Sequence, residues 1–162
     1  MGENNNIWGP LIWNLLHTIS YVSPNYYDLQ IKKNYFYFFN NIIPSILPCP
    51  ICQRHYLKQL RNNPLHLNLN SKEELIKWII NIHNLVNIKN KKKIFNREEV
   101  DEIYQNKINI DKIYKLLFYL KNRLQYGKLD LNIYNKFNFY ISLFVLNKIP
   151  NYHNGLMILN KY

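Results

Sequence analysis

The apolar residues of this chain are spaced for helices almost from end to end. Trp8, Leu11, Ile12, Leu15, Leu16, Ile19 and Val22 recur at i, i+3, i+4 and i+7, which lays one apolar stripe along a first helix. A second helix is expected from about Asp28 to Ile43, with Leu29, Phe36, Phe39 and Ile43 inward, kinked by Pro44 and ended by Pro48. A third opens at Cys49 and fades near Asn62, ahead of Asn63-Pro64. Ser71-Lys72-Glu73-Glu74 has the form of a capping box and starts a fourth, with Leu75, Ile76, Ile79, Ile82 and Val86 inside. Asn96 with Glu99 opens a short fifth through Val100, Ile103 and Tyr104. No stretch alternates as a strand does, so the expected class is all-α.

One domain with a helical extension is expected: a unit over residues 1–108 and an extension over 109–162 of unassigned role. In the extension, Asp111 is the expected cap of a helix through Ile113, Leu116, Leu117 and Leu120, closed by Gly127. A second amphipathic segment, Ile133 to Leu146, ends before Pro150. The stripe Leu116, Leu117, Leu120, Ile141 and Phe144 is too apolar to stand in water, which favours packing against the first unit.

The chain of 162 residues is 48% apolar and poor in Gly and Pro, which allows a real core and argues against disorder. Its formal charge of +11 is uneven: charges nearly cancel up to Leu47, and the excess lies from Arg54 to Arg97, including Lys89, Lys91, Lys92 and Lys93. Such a balance fits nucleic acid, an anionic surface, a phosphate-bearing cofactor or merely a solvated face. Gly2 follows Met1 as in a myristoylation site, but Asn6 stands where Ser or Thr is wanted, which leaves that signal weak. The N-terminus has no signal-peptide core, and the longest apolar run, Phe139 to Leu146, is too short to span a bilayer. A soluble, non-secreted, cytoplasmic protein is expected, in host cytoplasm or a virion if the source is viral.

Cys49-Pro50-Ile51-Cys52 holds both cysteines of the chain. A structural zinc site needs two more ligands, for which only scattered histidines exist, so no metal site is expected. Haem attachment needs His directly after the second Cys, where Gln53 stands. A redox disulfide needs only the pair, and this reading is favoured. Pro50 suits the first position of a helix, which makes Cys49 the N-cap and puts Cys52 in the first turn. Backbone donors and the helix dipole there favour thiolate over thiol, and Arg54 and His55 add positive potential.

Three blocks in order are more specific than any one alone. Trp8-Gly9-Pro10 with Trp13 and Leu16-His17 has the form W-G-x-x-x-W-x-x-L-H; Pro48-Cys49-x-x-Cys52 follows; then come Trp78-x4-His83-Asn84-x-Val86-Asn87, Lys89, Lys92 and Phe95. From about Ile7 to Tyr104 the chain resembles the Erv/ALR family of FAD-dependent sulfhydryl oxidases, and most closely its short viral members.

The resemblance implies a four-helix bundle with a short fifth helix that grips FAD. Trp8, Gly9, Trp13, His17 and Tyr21 would line the cofactor from the first helix, and His83, Asn84, Val86 and Asn87 from the fourth. Lys89 and Lys92 would meet its pyrophosphate and ribose. Cys49 would exchange with a protein dithiol, and Cys52 would lie against the flavin, from which electrons pass to oxygen as hydrogen peroxide. Family members usually pair through their first two helices, so a homodimer is implied, with neither nucleic acid nor membrane as partner. The residue types agree independently, because Trp13, His17 and Tyr21 share one helical face, as do His83 and Asn87, and rings with directional donors suit a flat polar-edged cofactor.

Two departures stand out. Arg97 lies where many members carry a structural cysteine, and Asn90 replaces a usual apolar residue. No shuttle pair exists either, so substrate must reach Cys49 directly or through a separate dithiol relay protein. Two other readings remain: a basic helical protein that binds nucleic acid or an acidic partner, with a structural Cys pair, and a degenerate oxidase kept as a scaffold.

Overall fold

The computed structural model describes residues 5–148, with side chains from Ile7 onward; Gly2 and Pro150 lie outside the described residues. The described residues are helical throughout, apart from loops and one isolated β-bridge between Tyr26 and Ser71. The helices are α1 (Asn5–Val22), α2 (Leu29–Tyr37), α3 (Ile43–Ile46), α4 (Pro50–Asn62), α5 (Lys72–Lys89), α6 (Arg97–Tyr104), α7 (Ile110–Gln125) and α8 (Leu131–Phe144). A 3-10 turn at Leu65–Asn68, which periodicity did not foretell, joins α4 to α5.

Most boundaries follow local chemistry. Asp28, Cys49, Ser71, Asn96 and Asp130 each accept a backbone N–H from the first turn of the helix they precede. Two expectations shift. The box at Ser71 is half formed: Ser71 Oγ accepts from Glu74 N–H, but the Glu74 carboxylate reaches back to Asn70 N–H instead of Ser71. The box at Asn96 and Glu99 is complete. In the extension Asn109, not Asp111, caps α7, and Asp111 sits in its first turn beside the positive end of the dipole. Gly127 closes α7 at φ 66°, where a side chain would be strained.

The kink expected at Pro44 is a π-helical turn, Phe38–Ile42. Proline has no N–H, so the helical ladder cannot continue through residue 44, and Ile43 N–H bonds to Phe38 carbonyl, five residues back. The Phe39 carbonyl then accepts from Tyr56 O–H at 3.0 Å, and the Pro44 carbonyl accepts from Gln53 Nε2 at 3.0 Å. Both donors are on α4, so the proline break ties the disulfide-bearing helix to its predecessor.

The inner face of α2 differs from expectation. Phe39 and Ile43 are buried as expected, but Leu29 and Phe36 are exposed, and Tyr35, Phe38 and Ile42 are buried in their stead. Both sets have helical spacing in this aromatic-rich stretch, and the choice is made by α8, whose Phe144 packs on Tyr35 and Phe38.

One apolar core runs from Trp8 to Leu146. Helix α1 packs chiefly against α5 on one flank and α7 on another. It is consequently buried on more than its apolar stripe: Asn14 and Thr18 are 2% and 1% exposed. The expected stripe of the extension is buried as well, at Leu116, Leu117, Leu120, Ile141 and Phe144. Arg123 of α7 donates to the Ile46 carbonyl at 2.7 Å, which fixes the extension to the segment leading into Cys49.

Candidate functional site

Cys49 and Cys52 form a disulfide at the start of α4. Pro50 takes the first helical position, and the Cys52 N–H donates to Cys49 Sγ at 3.2 Å. The N-cap sulfur thus replaces the oxygen that usually satisfies this donor, and the helix dipole favours negative charge on either sulfur once the bond opens.

Cys52 opens onto a cavity of about 420 Å³ between α1, α4 and α5, a size typical of ligand sites. Of the residues singled out from sequence, Trp8, Gly9, Trp13, His83, Val86, Asn87 and Lys92 also line it. Trp13 and His83 stack at 4.0 Å between centroids with planes 8° apart, joining α1 to α5. Phe95, from the third motif block, lines it too, and residues that sequence reasoning missed complete the wall: Leu47, Tyr56, Lys93, Tyr104 and Lys112. Lys112 comes from α7, and nothing in local sequence links it to the motif.

His17 lies behind this wall. Its Nε2 shares one hydrogen with His83 Nδ1 across 2.9 Å, and its ring stacks on Tyr104 at 4.9 Å. Burial, then the neighbouring His83, pushes the His17 pKa down to about 3. Burial, then Lys92, lowers His83 to about 4. Both rings are therefore neutral near pH 7, and whichever carries the shared proton, His17 Nδ1 stays buried without a protein partner.

Asn84 does not face the cavity. Its side chain accepts from Phe95 N–H and donates to Phe95 carbonyl, at 2.9 and 2.8 Å. Asn87 Nδ2 donates to the Lys93 carbonyl, and the Asn87 carbonyl accepts from Lys92 N–H. These four bonds lace residues 92–95 onto α5 and hold Lys92, Lys93 and Phe95 at the cavity edge. Lys89 points elsewhere, to His55 Nδ1 at 2.8 Å.

Tyr21 also lies apart. Its hydroxyl donates to Asp101, which Arg97 Nε clasps at 2.8 and 2.9 Å, and it lines a separate surface cavity with Arg97 and Asp101. Burial and the Asp101 carboxylate raise the Tyr21 pKa, so the phenol stays protonated. Arg97 thus supplies an ion-pair clamp, also reaching Glu73 at 2.7 Å, at the position where the resemblance led one to expect a cysteine.

The chemistry of the lining suits a flavin nucleotide. Aromatic rings present flat faces, and Lys92, Lys93 and Lys112 bring positive charge for phosphates. Trp8 Nε1, on a residue that lines the cavity, is buried with no acceptor among the described residues. An N–H left so costs about 1–3 kcal/mol unless a ligand atom takes it. His83→Ala removes one stacked ring and the partner of His17. It is expected to weaken FAD retention roughly 10- to 100-fold. Titration of the stripped variant with FAD, read by fluorescence, checks this, and an unaltered affinity would remove His83 from the cofactor site.

Among known proteins, the chain is similar to the probable FAD-linked sulfhydryl oxidase R368 of Acanthamoeba polyphaga mimivirus. The two are 35% identical over 96 residues, 59% of this chain and 66% of that protein. It is 33% identical over 93 residues to the FAD-linked sulfhydryl oxidase ERV1 of Arabidopsis thaliana, covering 57% of this chain and 47% of the plant protein. The chain therefore spans about half to two-thirds of the relatives it matches. Among solved structures, the yeast Erv1 core superimposes with a TM-score of 0.59 at 29% identity, over 64% of this chain and 85% of that one. The FAD-binding domain of Erv1 from Saccharomyces cerevisiae gives 0.56 at 30% identity, over 61% and 91%. The sequence model of the Erv1 / Alr family matches residues 10–105, a stretch that contains the disulfide, the stacked Trp13–His83 pair and the laced lysine loop, and the chain belongs to that family.

Proposed function

We propose that this chain is an FAD-dependent thiol oxidase that forms disulfides in a protein dithiol through Cys49 and Cys52. The observation that carries the reading is that a reactive-type disulfide at a helix start opens, through Cys52, onto an aromatic cavity rimmed by lysines. A structural Cys pair in a basic binding protein would have no need of that cavity.

In the proposed reaction a substrate thiolate attacks Cys49 Sγ, forming a mixed disulfide and leaving the electron pair of the broken bond on Cys52. The second substrate thiol, once deprotonated, attacks its partner sulfur, so the substrate disulfide forms and Cys49 is released reduced. Two electrons and two protons have then left the substrate. The helix start stabilises each departing thiolate, and Cys52, the member that lines the cavity, keeps its sulfur on the cofactor side. FAD, when bound, would supply the two-electron acceptor through which the disulfide is regenerated, with oxygen as the final oxidant and hydrogen peroxide as its product. Trp8, Trp13, His83 and Asn87 would hold its flat portions, and Lys92 its phosphates, with Gly9 and Val86 as apolar wall. His17 and Asn84 act behind them, keeping His83 and the lysine loop in place. Tyr21 and Lys89 are read as supports of α6 and α4.

The oxidase unit is read as residues 1–108, a bundle of α1, the α2–α3 rod, α4 and α5 with α6 across it, which the extension 109–162 completes. A homodimer is read through α2, where Leu29 and Phe36 are exposed, while α7 covers one flank of α1. Among the described residues no helix is long and apolar enough to cross a membrane, and a cytoplasmic or virion site suits the reading.

Purified protein should be yellow and should consume oxygen with dithiothreitol, because no folded relay is needed to reach Cys49. A colourless protein that takes up no FAD would overturn the reading. A yellow protein inert towards dithiols would leave only the scaffold alternative.

A further inference from the structure

Helix α4 carries the disulfide at one end and an unbroken basic face along its length. Ile51, Arg54, Lys58 and Arg61 follow i, i+3, i+7 and i+10 spacing, which puts them on one side of the helix. All four are exposed, Ile51 at 59%. No Asp or Glu occurs between Asp28 and Glu73, nor between Glu74 and Glu98, so neither α4 nor the lysine loop brings a carboxylate of its own. The ion pairs among the described residues join Lys77, Lys93 and Arg97 to Glu73, Glu99 and Asp101, all on α5, α6 and the loop between them. None includes Arg54, Lys58 or Arg61. A face meant only for solubility is usually mixed in sign; this one is single-signed and begins beside the reactive sulfur.

We infer that this face is the docking surface for the dithiol substrate, and that the substrate is a protein whose reactive cysteine is flanked by an apolar residue and then by acidic ones. The inference rests on the thiol-oxidase reading and adds the class of substrate. Exposed Ile51, next to the disulfide, offers an apolar contact for the residue beside the attacking cysteine. From Cys49 to Arg61 the helix rises about 18 Å at ~1.5 Å per residue. An extended strand at ~3.3 Å per residue covers that in roughly five residues. The carboxylates therefore fall about two to five residues from the attacking cysteine, opposite Arg54, Lys58 and Arg61. Opposed charges steer encounter and fix register, and they do so less as salt screens them.

Two synthetic peptides test this with the FAD-loaded full-length chain. Both carry a Cys-x-x-Cys dithiol and an adjacent apolar residue, with either Glu or Gln at positions two to five on each side. At low ionic strength the Glu peptide is expected to show about fivefold higher kcat/KM, carried by KM, with the advantage fading in concentrated salt. The double variant Lys58→Glu/Arg61→Glu should lose or invert the preference while oxidising dithiothreitol at the wild-type rate. Equal kcat/KM for the two peptides, or a preference that survives the charge reversal, would overturn the inference and make the face a solvated one. Tight, salt-sensitive binding of a duplex oligonucleotide that Lys58→Glu/Arg61→Glu abolishes, without any peptide preference, would overturn it in favour of nucleic acid. Dithiothreitol turnover separates the failures: oxidation without peptide preference sinks the docking surface alone, and no oxidation sinks the thiol-oxidase reading together with it.

Discussion

Cys49→Ser and Cys52→Ser are each expected to lower dithiol turnover on the order of a thousandfold while leaving FAD bound. In the proposed reaction each sulfur has its own step, one receiving the substrate and one holding the electron pair, and residues that act in sequence cannot substitute for each other. Neither sulfur is needed to hold the cofactor, because the stacked Trp13–His83 pair and the lysine loop are built from α1, α5 and the segment after it. The fold should survive: a disulfide that closes so short a loop contributes about 2 kcal/mol at most. The melting midpoint should accordingly drop by no more than about 8 °C. Oxygen consumption with dithiothreitol, visible absorbance and thermal melting of the two variants make the check. Substantial turnover by either one would sink the exchange mechanism.

Removal of everything after Lys107 is expected to give a chain that aggregates or fails to keep FAD. The extension is part of the core: Ile113, Leu116, Leu120, Phe137 and Ile141 are each 1% exposed or less. A buried side chain of this kind contributes about 1.5–3 kcal/mol of transfer free energy. Five of them together contribute about 7.5–15 kcal/mol, as much as the whole net stability of an ordinary domain, about 5–15 kcal/mol. Truncation also uncovers the flank of α1 that packs on α7, removes Lys112 from the cavity lining and frees the Ile46 carbonyl from Arg123. A milder probe separates packing from general damage. Phe137→Ala leaves a void among Phe38 and its neighbours and should cost about 3–5 kcal/mol in unfolding free energy, with FAD still bound under native conditions. Soluble yield, absorbance and dithiothreitol turnover of the shortened chain are the measurements; a soluble, yellow, fully active product would make the extension a mere appendage.

Much of the local structure was legible in the residues. Caps at Asp28, Ser71 and Asn96 and the Pro50 signal behind Cys49 are short-range chemistry, since each donor and its acceptor lie within one helical turn. The Cys49–Cys52 disulfide was legible for the same reason. So was the all-helical class, because the 3.6-residue period is written in every long segment.

What local sequence could not decide is which second face each helix would bury, and toward what. Asn14 and Thr18 look like solvent positions on α1, yet both are buried in a helix packed by α5 on one flank and α7 on another. Tyr35 and Phe38 were chosen over Leu29 and Phe36 by the aromatic side of α8, more than a hundred residues away in sequence. Tyr21 shares a helical face with Trp13 and His17, yet Asp101 on α6 draws its hydroxyl into a different site. Lys89 sits in the motif, but His55 takes its ammonium. Periodicity and capping are set by neighbours within a few residues, so the sequence alone determined where helices run and where the disulfide sits. A face is chosen by whichever distant surface offers more apolar contact or a better polar partner, and that only the tertiary structure decided.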